Sequence, residues 1–176
     1  MKRNLVKFGL LSLAAFGMSG AVRASQNATD PAVATAVVQG PLKEVWRAYT
    51  NPKELNKWMV AASAVDLRVG GYMRTSYKKG SDLTGPDVIE NRILSFDPER
   101  MVSMQTVRTP DRFPFKEAIK KTWVNLYFEP IGKTKTRVTC RMMGFNTTPE
   151  SVQLRKFFEQ GNQLELDKLV QHFKKK

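Results

Sequence analysis

Residues 148–176 read TPESVQLRKFFEQGNQLELDKLVQHFKKK, and this stretch decides the fold. Thr148 can cap a helix through its hydroxyl. Pro149 then takes the first helical position, where its missing N–H is not needed, and Glu150 suits the positive end of the dipole. Leu154, Phe157, Phe158, Gly161, Leu166, Leu169, Val170 and Phe173 recur at helical spacing. They form one apolar stripe through roughly seven turns. The closing Lys174, Lys175 and Lys176 suit a helix C-terminus. A helix of this length with one apolar face needs a broad apolar partner. Gly161 breaks the pattern, since a mid-helix glycine costs about 1 kcal/mol relative to alanine. It admits two explanations: close packing of helix on sheet, or a space that a side chain would fill.

The chain upstream supplies the partner. Segments 64–69, 72–77, 88–96, 101–108, 118–129 and 136–145 read as six strands. Short turns join them, so they pair antiparallel. Gly70-Gly71 reads as a tight hairpin turn in which both residues take positive φ. Residues 78–86 form a polar loop, and Asp97-Pro98-Glu99-Arg100 a turn. The stretch 109–115 holds two prolines and two phenylalanines, which makes it a loop with something apolar to cover. Ahead of these, 33–39 is a β-branched run and a seventh strand. Pro41 opens a helix with Leu42, Val45, Trp46 and Tyr49 on one face. Asn51-Pro52 starts a second short helix that turns Leu55, Trp58 and Met59 inward. The resulting expectation is an α+β fold: a curved antiparallel seven-stranded sheet around a long C-terminal helix, with two short helices after strand 1. Such a sheet cannot close on one helix everywhere, so an apolar space remains between them.

Composition removes much of function space. The chain has 176 residues, 29 basic and 16 acidic, for a net charge of +13. One cysteine, Cys140, and one histidine, His172, are present. An internal disulfide is therefore impossible, and a Cys/His zinc site lacks its ligands. Nucleophilic catalysis of the Ser-His-Asp or Cys-His kind would rest on His172, which is expected to face solvent near the helix end. No metal and no cofactor is expected. The basic residues are scattered rather than aligned along one helix, so no nucleic-acid partner is expected.

Residues 1–24 read as a targeting segment. Met1-Lys2-Arg3 is a positive start, 8–22 is uncharged and apolar or small, and Val22 and Ala24 fit a cleavage site. The apolar run of about fifteen residues is short for a membrane span of about twenty. The expected organisation is a signal peptide at 1–24, a flexible lead-in at 25–32, and one domain at 33–176. Cleavage near Ala24 would place the mature chain in a bacterial periplasm, with membrane contact only through the signal segment if uncleaved. The segment holds four basic residues and no acid, so 25–176 carries +9.

Strand alternation nominates the walls of the space. Val124, Leu126 and Phe128 share one face, as do Val138, Cys140 and Met142, and Met73, Thr75 and Tyr77. Cys140 is then a buried thiol acting as a small hydrophobe. The alternation in 101–108 leaves its inward face open. Met59, Met73, Met101, Met104, Met142 and Met143 fall in the proposed core, and methionine suits sites that accept varied apolar ligands. Among carboxylates on strands, Asp66, Glu90, Glu117 and Glu129 have no partner at a telling spacing. The candidate ligand-binding residues are Trp58, Met59, Met73, Tyr77, Arg92, Val124, Leu126, Met142, Phe157, Phe158 and Gly161. Tyr77 and Arg92 would orient a polar head, while Trp58, Met59 and the 109–115 loop would guard the mouth. No catalytic residue is nominated.

The motifs Pro41 to Ala48, Asn51-Pro52 with Leu55 and Trp58-Met59, and Asp66-Leu67-Arg68-Val69-Gly70-Gly71 carry a resemblance. So do Ile93 to Met101, Thr122-Trp123-Val124 to Phe128-Glu129-Pro130, Thr136-Arg137-Val138-Thr139, and Phe157-Phe158 to Gly161-Asn162. The chain resembles the SRPBCC or START-like helix-grip superfamily. Within it, it resembles the branch of activator of Hsp90 ATPase homologues (AHSA1-like), which overlaps with polyketide-cyclase-like proteins. The resemblance implies a cavity between sheet and helix that binds a hydrophobic or amphipathic small molecule or lipid-like ligand. A cyclase- or hydrolase-type enzyme using the same cavity is the alternative. A co-chaperone-like interaction module ranks third, because export would separate the chain from cytosolic Hsp90.

Overall fold

The computed structural model describes residues 27–175. Seven strands form one antiparallel sheet: β1 (Ala32–Val38), β2 (Ala62–Asp66), β3 (Tyr72–Ser76), β4 (Ile89–Asp97), β5 (Met101–Arg108), β6 (Trp123–Ile131) and β7 (Lys135–Met143). Their order is β1-β7-β6-β5-β4-β3-β2. The first two strands in sequence therefore lie at opposite edges. Helices α1 (Leu42–Thr50) and α2 (Pro52–Leu55) carry the chain between them, α3 (Lys116–Ile119) interrupts the β5–β6 connection, and α4 (Pro149–Lys174) closes the fold. The architecture is the expected α+β helix-grip fold.

Local chemistry explains the elements. In β1, Ala32, Ala34 and Val38 point inward and are buried, while Val33 and Val37 point out. Small inward residues let α4 lie close on this edge of the sheet. Asn51 caps α2 by accepting hydrogen bonds from the N–H groups of Lys53 and Glu54 at 3.0 and 3.3 Å. The Thr148 hydroxyl accepts from the Ser151 N–H at 3.4 Å to start α4.

Two readings of the sequence need correction. Residues 118–122 do not belong to the strand expected over 118–129. The chain makes a turn of helix at Lys116–Ile119 instead, and β6 begins at Trp123. Glu150 imposes this from α4: its carboxylate accepts from the N–H groups of Glu117 and Ala118 at 3.1 and 3.2 Å. The Thr122 hydroxyl then donates to the Ile119 carbonyl at 2.9 Å. The β2–β3 connection is also longer than a two-glycine turn, because Asp66 pairs with Tyr72. Only Gly70 takes positive φ, at 78°. Gly71 is required for space: a Cβ there would stand 2.1 Å from the Asp66 carbonyl oxygen.

The core is in two parts. The larger gathers Trp46, Tyr49, Leu55, Ile93, Phe128 and Val138 against Leu166, Leu169 and Phe173 of the second half of α4. The smaller gathers Ala32, Ala118, Ile119, Met142 and Phe145 against Leu154 of the first half. The middle of α4 lies between these seats.

Candidate functional site

A cavity of about 370 Å³ opens beside that middle segment. Its sheet wall is mostly apolar: Met73 from β3, Ile89 from β4, Met104 from β5, Val124 and Leu126 from β6, Cys140 and Met142 from β7, with Thr75, Asn91 and Thr106 among them. Met104 and Thr106 line the cavity and Val102 is fully buried, so these alternate residues take the inward face of β5. Phe157, Phe158, Gly161, Asn162 and Glu165 of α4 form the opposite wall. Three aromatic residues that line the cavity are also exposed, Tyr77 by 60 %, Phe157 by 50 % and Trp123 by 37 %, and so mark its mouth. Phe113 packs edge-on against Phe157 there, with ring centroids 6.0 Å apart.

Gly161 is not a point of close packing. A Cβ placed on it would find nothing within 4 Å. The glycine keeps the cavity open rather than letting helix and sheet touch.

The cavity is not uniformly apolar, which corrects the expectation from its walls. Glu165 projects into it from α4. The Tyr49 hydroxyl, fully buried on α1, donates to Glu165 Oε1 at 3.3 Å. Burial pushes the Glu165 carboxyl up from its ordinary 4.5 to about 7, against the opposing effects of the Tyr49 hydrogen bond and the Lys168 charge. Burial raises the Tyr49 phenol well above 10, and the neighbouring Glu165 charge adds to it. The same two causes, burial first, lift the Cys140 thiol and the Tyr77 phenol. One turn before Glu165, Asn162 also lines the site, and its Nδ2 is buried with no hydrogen-bond partner among the described residues. The other polar wall groups include Asn91 and Thr106, which bond to each other at 2.7 Å.

The structure brings Met59, Met73, Tyr77, Val124, Leu126, Met142, Phe157, Phe158 and Gly161 together on this cavity. Trp58 and Arg92 are not among its walls. Trp58 donates its indole N–H to the Ala48 carbonyl at 3.0 Å and packs edge-on against Tyr49 at 5.0 Å. It therefore stands behind the site rather than at its mouth. Arg92 is exposed, because its strand neighbours Asn91 and Ile93 take the inward face. His172 is half-buried against Phe173 rather than facing solvent. The carboxylates singled out from the strands are ion-paired away from the cavity: Asp66 with Arg68, Glu90 with Arg74, Glu117 with Lys120 and Glu129 with Arg137. Tyr49, Asn162 and Glu165 were not nominated. A signal existed: Phe157, Gly161 and Glu165 are spaced by four, so the carboxylate falls on the apolar stripe. Among the described residues no three His, Cys, Asp or Glu side chains gather as metal ligands.

Solved structures share the fold at low sequence identity. A Mesorhizobium loti protein, MLL2253, is 20 % identical, with a TM-score of 0.58 over 79 % of this chain and 94 % of its own. The Aha1 dimer of Colwellia psychrerythraea is 14 % identical, with a TM-score of 0.62 over 81 % and 95 %. CalU16 of Micromonospora echinospora is 21 % identical, with a TM-score of 0.55 over 82 % and 83 %. No curated protein matches the sequence. The family model described as "Activator of Hsp90 ATPase homolog 1-like protein" matches residues 39–174, from the end of β1 to the end of α4. With that match across nearly the whole described domain, the chain belongs to the AHSA1-like family of the SRPBCC superfamily.

Proposed function

We propose that this chain binds an amphipathic small molecule, mostly apolar with one hydrogen-bonding group, in the cavity between the sheet and α4. The observation that carries this reading is the cavity itself: a mostly apolar chamber into which α4 brings Asn162 and Glu165, with the Tyr49 hydroxyl of α1 on the Glu165 carboxylate. Its volume of about 370 Å³ falls within the range of about 300–1,000 Å³ usual for ligand pockets. Burial of apolar carbon against Met73, Met104, Leu126 and Met142 supplies affinity, at about 25 cal/mol per Å² less the ordering costs. Asn162, Tyr49 and Glu165 fix the polar end. The rim of Tyr77, Trp123 and Phe157 offers a path of graded polarity from solvent to chamber.

The chain acts after export in this reading, as a periplasmic binding protein. The support is the charge and hydropathy pattern of residues 1–24, which lie outside the described residues. A cyclase- or hydrolase-type enzyme is the second reading, and the Glu165 carboxyl inside the cavity is the observation that favours it.

Native mass spectrometry of protein purified from the periplasm of its own cells, followed by solvent extraction, tests the binding reading. A discrete added mass released on denaturation is the expected result. A clean unliganded mass after gentle handling, together with no uptake of a naphthalene-type fluorescent probe, would refute it. Recovery of the protein only in the cytosol would refute export.

A further inference from the structure

Three features meet at one point of the cavity. Glu165 Oε1 accepts from the Tyr49 hydroxyl, while Oε2 has no hydrogen-bond partner among the described residues. Asn162 Nδ2, three residues earlier on the same helix face, is a buried donor with nothing to donate to. Gly161, on the same turn of α4 and lining the same cavity, leaves open space where a side chain would stand. A carboxylate with one oxygen held and one open is built as a base. An uncommitted amide donor on a residue lining the same chamber is the kind of group that can swing to hold an oxygen that gains negative charge. We propose that Glu165 is a general base and acid that moves a proton on and off the carbon next to the carbonyl of an apolar, enolisable ketone, with Asn162 Nδ2 holding the carbonyl oxygen.

The step balances without a co-reactant. Glu165 Oε2 forms a bond to the α-proton, and the C–H pair becomes the C=C bond of an enolate. The carbonyl π pair moves onto oxygen, which accepts the Asn162 N–H. The Glu165 carboxyl then returns a proton to carbon, and the carbonyl re-forms. No atom changes hands except the proton, and nothing is oxidised or reduced. Tyr49 positions the carboxylate. The groups facing Glu165 are Tyr49 from α1, Cys140 from β7, Tyr77 beyond β3 and Lys168 from α4 itself. Of these only Lys168 is cationic, and its charge opposes the effect of burial. The resulting value of about 7 keeps both protonation states of Glu165 populated near neutral pH, as proton transfer in both directions requires.

This inference rests on the binding reading, and one experiment separates the two. The probe is 2-tetralone in D₂O with the purified protein. Binding is read from NMR line broadening, and exchange at its activated CH₂ from loss of the proton signal. The expected result is exchange about a hundredfold faster than with an equal concentration of Glu165→Gln. Glu165→Gln keeps a neutral acceptor for Tyr49, and its own binding of the ketone is read in the same NMR titration, so that exchange is compared per bound ketone. Asn162→Ala should lower exchange by tenfold or more, a loss of about 1.4 kcal/mol in transition-state stabilisation. The protein-dependent rate should rise with pH and level off above about 7. Ketone bound without protein-dependent exchange, or exchange undiminished in Glu165→Gln, overturns the proton transfer and leaves the binding reading standing. Exclusion of the ketone while a naphthalene probe still enters also overturns it. Failure of both molecules to enter overturns both readings.

Discussion

A carboxyl buried in an apolar chamber should leave its mark on stability, and Glu165→Gln reads that mark. Glu165 is held at about 7 in the folded chain, against an ordinary 4.5. At about 1.4 kcal/mol per pH unit, this separation corresponds to about 3 kcal/mol. Water at the cavity mouth screens part of it, so an effect of about 2 kcal/mol is expected. The folded state holds this proton more tightly than the unfolded state. The favourable contribution is therefore complete below pH 4.5, declines as pH rises, and is lost above about 7. Glutamine mimics the neutral carboxyl at every pH and still accepts from Tyr49. Urea unfolding of both proteins from pH 4.5 to 8.5 should show near-equal stability at the acid end. At the alkaline end the variant should be more stable by about 2 kcal/mol. Asp82, Asp87 and Glu117, whose carboxyls hydrogen bonds hold below their ordinary values, titrate alike in both proteins and cancel in the comparison. Parallel stability profiles across this range would refute the burial of Glu165 and weaken its assignment as a base.

Other substitutions probe the surrounding structure. Gly161→Ala should stabilise the fold by about 1 kcal/mol in urea titrations, since the new methyl meets nothing and helix propensity improves. Gly161→Leu should fill the chamber and weaken binding of a naphthalene probe by about tenfold, or about 1.4 kcal/mol. Unchanged binding would mean that the probe sits elsewhere. Trp58→Ala should cost about 2 kcal/mol of stability through the lost Ala48 hydrogen bond and the ring contact with Tyr49. Loss of binding with intact stability would instead return Trp58 to the cavity. Gly71→Ala should cost about 2 kcal/mol or more, because its methyl would collide with the Asp66 carbonyl. A neutral result in thermal unfolding would contradict the tight β2–β3 connection.

The parts of the fold legible in the sequence were those with local causes. Thr148-Pro149 and the 3.6-residue period announce α4, and Asn51-Pro52 announces α2, because the cap and the helix lie in one stretch of chain. The short helix α3 was illegible for the opposite reason. Its first amides are satisfied by Glu150, over thirty residues away, and nothing within 116–122 reports that. The apolar half of the cavity followed from strand alternation, which places Met73, Leu126 and Met142 correctly. Arg92 has the residue type for a polar head, but the alternation of β4 puts Asn91 and Ile93 inside and Arg92 out. Glu165 lies on a helix, outside the strand alternation that marks the sheet wall. Its neighbours Leu164 and Leu166 make it look like one charge in an ordinary amphipathic helix. Leu164 is in fact exposed and Glu165 faces the chamber, a reversal that only the rotation of α4 against the sheet decides.

The concentration of unfavourable choices argues for function at this turn of α4. Gly161 weakens the helix, Asn162 holds a buried donor without an acceptor, and Glu165 places a carboxyl where burial opposes its charge. All three lie within five residues. Above and below them, Leu154 and then Leu166, Leu169 and Phe173 pack as a stable helix should. The alanines of β1 let α4 settle onto the sheet edge, so the gap is not a helix held off by bulk. An alanine, a leucine and another leucine at 161, 162 and 165 would give a tighter and more stable protein. Local rules broken together at one point, and obeyed around it, mark a site where stability has been traded for a task. A ligand with an apolar body and one oxygen acceptor would relieve the gap and the idle amide at once. A pure hydrocarbon could relieve only the gap. The order of affinities within a matched pair of ligands, ketone above hydrocarbon, therefore follows from the side chains themselves, and Asn162→Ala should erase that order while leaving the hydrocarbon's affinity in place.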